Sequence, residues 1–366
     1  MRFRRRRRVA NPAGKVRRAN ISVVTRNPAN LILLDGLMLF HRLMIGLLVV
    51  GSGALTVLSA SPVNAQTKNV NDWLDRISKS ARELPYTGVF VHQTAEGTTT
   101  SRVTHLVDKQ GNEHEKLEML DGPLLEVVRR NEEMFRYHPE QKTMRHDRRA
   151  TGRFFPSLVS GSPATIAENY RVKLGSVERV AGHDCQWVVL EPKDTMRYLQ
   201  KLCAELGTGL LMRARLYNDR NQMIEQFTFT QVDVSGAVKT QDVRSRFEKS
   251  PGWQRDAAAK DAMKSVDSGW QVGNPPPGFR KVMEMVRTPT GRKEPVTHLV
   301  YSDGLLHVSV FVERSGGAPV PYTSRASDES AMSVVVRPMS DFQVTVMGEV
   351  PLGAVQSIAD NVTRRR

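Results

Sequence analysis

The feature that most constrains the fold is a regular succession of short segments in which apolar and polar side chains alternate. Turn residues, chiefly Gly, Asp, Asn and Pro, separate each segment from the next,. The predicted strands are 86–94, 100–107, 113–120, 124–130, 133–138, 143–148, 170–180, 184–190, 197–204, 210–217 and 223–234. This spacing is typical of an antiparallel meander, and a sheet of about eleven strands must curl.

One helix is predicted immediately before the first strand, over about residues 70–84. Trp73, Ile77 and Ala81 recur at helical spacing, and Pro85 ends the pattern,. The apolar stripe of this helix needs a surface to cover, and the concave face of a curled sheet provides one. We therefore expect a curved sheet with a covering helix, enclosing an apolar space.

A second, smaller antiparallel sheet is predicted near the C-terminus. The alternation fails over residues 249–268, which we interpret as a linker. A final helix is expected over about residues 352–361,. The strands predicted between them are 279–287, 297–301, 307–313, 331–337 and 342–349. The fold class is therefore α+β, mainly antiparallel β, with domains expected at residues 66–248 and 269–366,.

An uncharged segment, Leu43 to Leu58, precedes the predicted domains. Pro62 then stops a helix, and the small residues Val63 and Ala65 match the cleavage pattern of a secretory signal,. We predict that residues 1–65 are a signal peptide, that cleavage follows Ala65, and that the protein works in the periplasm.

Two alternatives to this interpretation concern the same segment. The uncharged run continues to Thr67 and is long enough to span a bilayer, so a membrane anchor is the alternative to cleavage,. Met38 to Arg42 would serve as the charged start of a signal by itself. Translation from Met38 would leave residues 1–37 outside the protein.

The predicted cleavage changes what the charge indicates. The whole chain has 53 Lys and Arg against 38 Asp and Glu, a net charge of +15, which by itself suggests a nucleic-acid partner,. Residues 1–65 hold eleven of the basic residues and one acidic residue, so the remaining 301 residues carry 42 against 37, or +5. We therefore expect no nucleic-acid partner.

Cys185 and Cys203 are the two cysteines of the chain, and both lie in the predicted exported part. An oxidising compartment lets them pair. The surrounding segments are predicted to form a hairpin centred on Asp194, which would place the two thiols directly opposite each other,. Such a disulfide stabilises a fold by on the order of 3 kcal/mol. Two buried free thiols are the alternative.

The sequence contains no recognisable catalytic or cofactor site. The histidines lack the spacing of zinc ligands, and no G-x-S-x-G, P-loop or G-x-G-x-x-G motif follows a predicted strand,. We expect no enzymatic activity, no cofactor and no metal. His105 and His298 each follow a Thr on a predicted strand and are interpreted as structural rather than catalytic.

Two groups of residues are candidates for the lining of the apolar space. A basic cluster that includes Arg148 and Arg149 would suit an anionic lipid head group at its mouth, and a solvated strand end is the alternative,. The apolar candidates are Trp73, Phe90, Met119, Leu125 and Phe135. The alternative is that they are ordinary core positions.

The second predicted domain carries the most specific sequence, including Gly269-Trp270-Gln271-Val272, Pro276-Pro277-Gly278-Phe279 and His298-Leu299-Val300-Tyr301-Ser302-Asp303-Gly304-Leu305. It resembles the C-terminal domain of the MucB/RseB family, periplasmic regulators of the envelope-stress sigma factor. The first predicted domain agrees, since residues 84–91 resemble the opening strand of that family and residues 190–194 its central hairpin.

The resemblance implies a regulator and not an enzyme. It implies a LolA/LolB-like half-barrel as the first domain, which binds acyl chains of lipoproteins or lipopolysaccharide. It also implies binding to the periplasmic region of an RseA/MucA-type anti-sigma factor, protection of that region from proteolysis, and release by lipid signals. A LolA-type lipid or lipoprotein carrier is the alternative function, and a homodimer is an open alternative for the assembly. The expected partner contacts are Trp270, Phe279, Tyr301, Leu305 and Phe311.

Overall fold

A computed structural model describes residues 63–147, 155–255, 267–287, 294–316, 321–326 and 331–365. Nearly all of the predicted signal peptide lies outside these ranges. The basic candidates Arg148 and Arg149 also lie outside them. Within the described ranges, no helix has the length and apolar character required to cross a bilayer.

Twelve strands form the first sheet. They are β1 (Tyr86–Thr94), β2 (Gly97–Val107), β3 (Glu113–Met119), β4 (Glu126–Arg130), β5 (Glu133–His138), β6 (Thr143–Asp147), β7 (Tyr170–Val180), β8 (His183–Pro192), β9 (Leu199–Glu205), β10 (Leu211–Tyr217), β11 (Met223–Asp233) and β12 (Gln254–Arg255). Their order is β12-β6-β5-β4-β3-β2-β1-β11-β10-β9-β8-β7. The pairing of β1 with β11 joins two antiparallel meanders into one wide sheet. The eleven predicted strands are confirmed, and β12 adds two residues of the predicted linker in parallel beside β6.

Two helices accompany the first sheet: α1 (Val63–Glu83) and α2 (Pro163–Asn169). Helix α1 starts earlier than predicted and ends just before Pro85. It buries Trp73, Ile77 and Ala81 of the predicted stripe, and also Leu74. Helix α2 was not predicted, because it is short and lies within a segment that shows no helical periodicity. Its N-terminus is capped by the hydroxyl of the residue before Pro163,.

The face of the first sheet that carries Tyr86 and Phe90, here called the inner face, packs against α1. The Tyr86 hydroxyl donates to the carbonyl oxygen of Ala81 in α1 at 3.3 Å. His105 of β2 lies opposite Tyr86 of β1 and stacks on its ring, with centroids 5.0 Å apart. His105 is fully buried, and its Nδ1 lies 2.7 Å from the carbonyl oxygen of Leu84. This is the structural role that the sequence predicts for His105.

The second sheet has six strands and a helix. The strands of this sheet are β14 (Arg280–Arg287), β15 (Val296–Ser302), β16 (His307–Arg314), β17 (Thr323–Arg325), β18 (Ser333–Met339) and β19 (Phe342–Gly348), and the helix is α3 (Leu352–Asp360). A two-stranded ribbon of β13 (Trp270–Val272) and β20 (Val362–Arg364) lies beside it. The strand order is β14-β15-β16-β19-β18-β17. Helix α3 buries Ala354, Val355, Ile358 and Ala359. The predicted fold class, α+β with mainly antiparallel strands, is confirmed.

The predicted disulfide between Cys185 and Cys203 is present, with Cα atoms 5.4 Å apart. The predicted register of the hairpin was wrong by two residues. Trp187 lies opposite Cys203, and Cys185 lies opposite Glu205, so the two cysteines are diagonal neighbours on one face. The loop between β8 and β9 spans residues 193–198, which moves the centre of the hairpin past Asp194. Diagonal positions remain close enough to be bridged.

Candidate functional site

The two sheets meet through backbone hydrogen bonds as well as side chains. The amides of Ser160 and Gly161, in the segment before α2, donate to the carbonyl oxygen of Gly304 at 2.9 and 2.8 Å. Gly304 lies in the turn between β15 and β16 and has a positive φ of 97°. A Cβ atom added to Gly161 would lie 2.8 Å from the Cα of Gly304. Only glycine at both positions permits so close an approach of the two backbone segments,.

A buried ion pair between Arg197 and Asp303 joins the sheets beside these hydrogen bonds. Arg197 follows β8, Asp303 precedes β16, and the Nε and Oδ2 atoms lie 2.7 Å apart. Both side chains are fully buried. The Arg197 guanidinium also donates to the carboxylate of Asp194 and to the carbonyl oxygen of Pro277, and it lies 4.9 Å from the centre of the Phe279 ring. These contacts satisfy the charge that burial removes from water.

Asp303 is held by further hydrogen bonds on its own side of the junction. Its Oδ1 accepts from the backbone amides of Leu305 and Leu306 at 3.0 and 2.9 Å. The hydroxyl of Tyr170 donates to Oδ2 at 3.2 Å. Burial, and then the negative charge of Asp303, raise the pKa of Tyr170 well above its usual value. Tyr170 therefore keeps its proton and remains a donor. We call Arg197, Asp303, Asp194 and Tyr170 the Arg197 cluster.

Next to the Arg197 cluster lies a cavity of about 360 Å³ between the two sheets, here called the inter-sheet cavity. Its size falls within the range of roughly 300–1,000 Å³ that is usual for small-molecule sites. It is lined by Phe90, His92, Thr99, Ser101, Leu117, Met119, Gln200, Ala214, Arg215, Leu216, Glu225 and Phe227 of the first sheet, by Phe155 and Leu158 of the segment after β6, and by Leu305, Leu306 and Glu349 of the second sheet. Both sheets therefore contribute to one binding space.

Aromatic side chains form one wall of this cavity. The Phe155 ring stacks on Phe227 with centroids 5.5 Å apart and lies 5.2 Å from Phe90. The imidazole of His92, which also lines the cavity, stacks on Phe227 with centroids 4.1 Å apart. Offset and stacked rings of this kind stabilise each other beyond the area they bury. The wall is apolar and held in place by its own packing.

Acidic side chains lie at the cavity beside the aromatic wall. The Oε1 atom of Glu225 lies 2.6 Å from Nε2 of His92. Glu349, at the end of β19, brings a second carboxylate from the second sheet. Desolvation between the sheets, and then the negative charge of Glu225, raise the pKa of Glu349 to about 7, whereas His92 opposes this shift. Glu349 also keeps exposed surface.

Comparison with protein families separates this chain from the many proteins that share an antiparallel sheet. Residues 69–247 match the model of the MucB/RseB N-terminal domain. Residues 264–363 match that of the MucB/RseB C-terminal domain. This chain belongs to the MucB/RseB family. The membership that residues 84–91, 190–194 and 269–305 indicate is therefore confirmed.

The sequences of individual relatives align with this chain over most of its length. The Sigma factor AlgU regulatory protein MucB of Pseudomonas aeruginosa is 32% identical over 324 residues, which cover 86% of this chain and 95% of the relative. The Sigma-E factor regulatory protein RseB of Haemophilus influenzae is 23% identical over 317 residues, 85% of this chain and 96% of the relative.

Solved structures of MucB share the fold. The complex of MucA and MucB from Pseudomonas aeruginosa matches with a TM-score of 0.65 at 27% identity, over 81% of this chain and 99% of the solved chain. The crystal structure of MucB in complex with MucA(peri) matches with a TM-score of 0.63 at 27% identity, with the same two coverages.

The structure brings only some of the predicted cavity residues of this MucB/RseB chain together. Phe90 and Met119 line the inter-sheet cavity. Trp73 is core, with the Arg76 guanidinium 4.2 Å from the centre of its ring, and Leu125 packs against the same core. Phe135 stacks on His146, with centroids 4.3 Å apart, and does not line the cavity.

The predicted partner residues are less exposed than the sequence suggests. Trp270, Phe279 and Tyr301 are buried, and the Tyr301 hydroxyl accepts a hydrogen bond from the amide of Val272 at 2.9 Å. Leu305 is 9% exposed and faces the cavity. Phe311 is half-buried and stacks on His298, with centroids 4.2 Å apart.

Sequence reasoning missed the polar residues at the junction. Asp303 was noted only as part of the segment 298–305, and its buried carboxylate carries no distinctive motif. Arg197 lies 106 positions away in the chain, so nothing in the local pattern links the two. Glu225 and Glu349 occur in ordinary strand-like segments. Within the described residues, no group of three His, Cys, Asp or Glu side chains is arranged to hold a metal ion.

The Arg197 cluster provides a matched pair of variants, because Asp303 and Asp194 contact the same guanidinium. The Asp303→Asn variant removes the fully buried carboxylate of this ion pair and should lower the free energy of unfolding by about 3–5 kcal/mol,. The Asp194 side chain is 29% exposed, and Asp194→Asn should cost about 1 kcal/mol or less,. Urea unfolding measures both. Equal effects of the two variants would contradict the assigned role of Asp303.

Proposed function

We propose that this protein is a periplasmic regulator that binds the periplasmic region of an anti-sigma factor and so controls an envelope-stress sigma factor. The observation that carries the proposal is the match to MucB along nearly the whole chain, in sequence and in fold. The solved MucB complexes contain MucA or MucA(peri), and the partner proposed for this chain is a protein of that type.

Export to the periplasm is part of this proposal. We propose that the signal peptide is removed after Ala65, which leaves residues 66–366 in the periplasm as two domains joined through residues 249–268. The Cys185–Cys203 disulfide is fully buried and fits an oxidising compartment,. Binding would then shield the anti-sigma segment from the protease that begins its destruction.

The inter-sheet cavity supports a mechanism for release by a lipid-bearing signal. Both sheets line the cavity, so an acyl chain bound there contacts both of them and can favour one arrangement of the two sheets. If that arrangement binds the anti-sigma segment less tightly, the two ligands weaken each other's binding reciprocally. A coupling free energy of roughly 1–3 kcal/mol changes affinity about 5- to 150-fold. This range is sufficient for a regulatory switch.

The construction of the cavity favours a regulator over a carrier of lipid or lipoprotein. Leu305, Leu306 and Glu349 of the second sheet complete the lining, and the Arg197 cluster fixes the two sheets together. A carrier needs a cargo site but no such junction with a partner-binding sheet. Transfer of cargo to an acceptor membrane, without affinity for an anti-sigma fragment, would establish the carrier instead.

The proposed function predicts that the chain spanning residues 66–366 retains the periplasmic fragment of an RseA/MucA-type anti-sigma factor in a pull-down without lipid. An added acylated peptide should release the fragment, because the coupling is negative. The unacylated peptide is the matched control and should release nothing. Absence of a complex in lipid-free protein would contradict the regulatory function.

Phe311 is the partner candidate that keeps exposed surface, and Phe135 offers a matched control. Each ring is half-buried and stacks on a histidine of the neighbouring strand, but only Phe311 lies on the second sheet. We predict that Phe311→Ala weakens binding of the anti-sigma fragment about 30-fold, the loss typical of an aromatic hot spot. Phe135→Ala should leave the affinity unchanged in the same titration calorimetry. Equal affinities of the two variants would remove Phe311 from the contact surface.

A further inference from the structure

The inter-sheet cavity holds two carboxylates, and among its described lining residues only one of the two is paired with a basic side chain. Its titratable lining residues are His92, Arg215, Glu225 and Glu349. Arg215 follows Ala214 on β10, and alternate residues of a strand point to opposite faces, so its side chain leaves the cavity face,. Its guanidinium lies 5.1 Å from the centre of the Trp187 ring, and its Nε donates to Gln226 at 2.7 Å.

The two carboxylates come from different sheets and differ in their partners. Glu225 of β11 is paired with His92 of β1. Among the described residues, no hydrogen bond or ion pair satisfies Glu349, which follows β19. The negative charge of Glu225 acts on Glu349 and disfavours its ionised form,. A positive charge placed between them would remove this repulsion.

A buried polar group at the same cavity also lacks a partner. Gln200 of β9 is 9% exposed and lines the cavity. Its Nε2 is buried and has no hydrogen-bond partner among the described residues. A buried amide donor without an acceptor costs free energy, which a ligand oxygen could recover. The cavity therefore combines an apolar wall, an unsatisfied donor and two carboxylates.

We propose that the inter-sheet cavity binds an amphiphile whose apolar chain lies against Phe90, Phe155 and Leu306 and whose ammonium group lies between Glu225 and Glu349. Carboxylates and aromatic ring faces both attract ammonium groups, and the adjoining apolar surface takes the chain. An ester or amide oxygen near the head group would accept from Gln200. The assignment deepens the proposed function, on which it rests for the regulatory role of the ligand, by naming the ligand's charge.

Proton linkage gives this assignment a distinctive signature. In the free protein Glu349 has a pKa of about 7, because of desolvation and the charge of Glu225, with His92 opposing. A bound ammonium stabilises the carboxylate and lowers its pKa, so binding near neutral pH releases a proton. The affinity for the cation should therefore rise by about fivefold between pH 6 and pH 8. An anionic ligand would show the opposite dependence.

The experiment is titration calorimetry of the chain spanning residues 66–366 with decyltrimethylammonium, decyl sulfate and decyl maltoside, each below its critical micelle concentration. We expect the cation to bind at least about tenfold more tightly than the sulfate at pH 8, with the uncharged probe between them. A sulfate affinity equal to or greater than that of the cation would overturn the assignment. So would the absence of measurable cation binding.

Glu349→Gln provides the decisive variant, because it removes the titrating group while preserving side-chain size at a solvent-open position. It should abolish the pH dependence and weaken cation binding. Glu132→Gln, an exposed position outside the cavity lining, should change neither. Retention of the pH dependence in Glu349→Gln would contradict the assignment. These titrations contain no anti-sigma fragment, so their failure is distinguishable from a failure of partner binding in the pull-down.

Discussion

The ion pair between Arg197 and Asp303 is the interaction on which the functional architecture depends. Both side chains are removed from water, and each is held by further hydrogen bonds that make its burial tolerable,. Asp303 also fixes the amides of Leu305 and Leu306, so the ion pair that joins the sheets also orients the two leucines that line the cavity. Docking of the sheets and formation of the binding space are therefore one structural event.

This arrangement is the physical basis of the proposed switch. The wide first sheet provides an aromatic wall, and the second sheet closes it with two leucines and a carboxylate. A ligand in the cavity contacts both sheets and can therefore act on any partner that recognises their relative placement. Regulation then requires only a difference in affinity between two arrangements of the same junction.

The sequence predicts most of the fold, because alternation and helical periodicity are local signals. It identified the eleven long strands of the first sheet, the buried stripe of α1 and the pairing of Cys185 with Cys203. The register of that hairpin was wrong, since its loop is longer on the side after Asp194. The site is less predictable: Phe90 and Met119 were proposed as cavity lining, whereas Arg197, Asp303 and Glu349 acquire their roles only through contacts between distant segments. Burial of a charge by tertiary packing leaves no periodic signal in the sequence.

The most direct test of the account is hydrogen exchange at the amides of Ser160 and Gly161, which donate to Gly304 across the junction. If the Arg197–Asp303 pair holds the sheets together, Asp303→Asn should accelerate exchange at these two amides while the amides within β1 keep their protection. Asp194→Asn should leave all of them slow. Unchanged protection of Ser160 and Gly161 in Asp303→Asn would contradict the central claim.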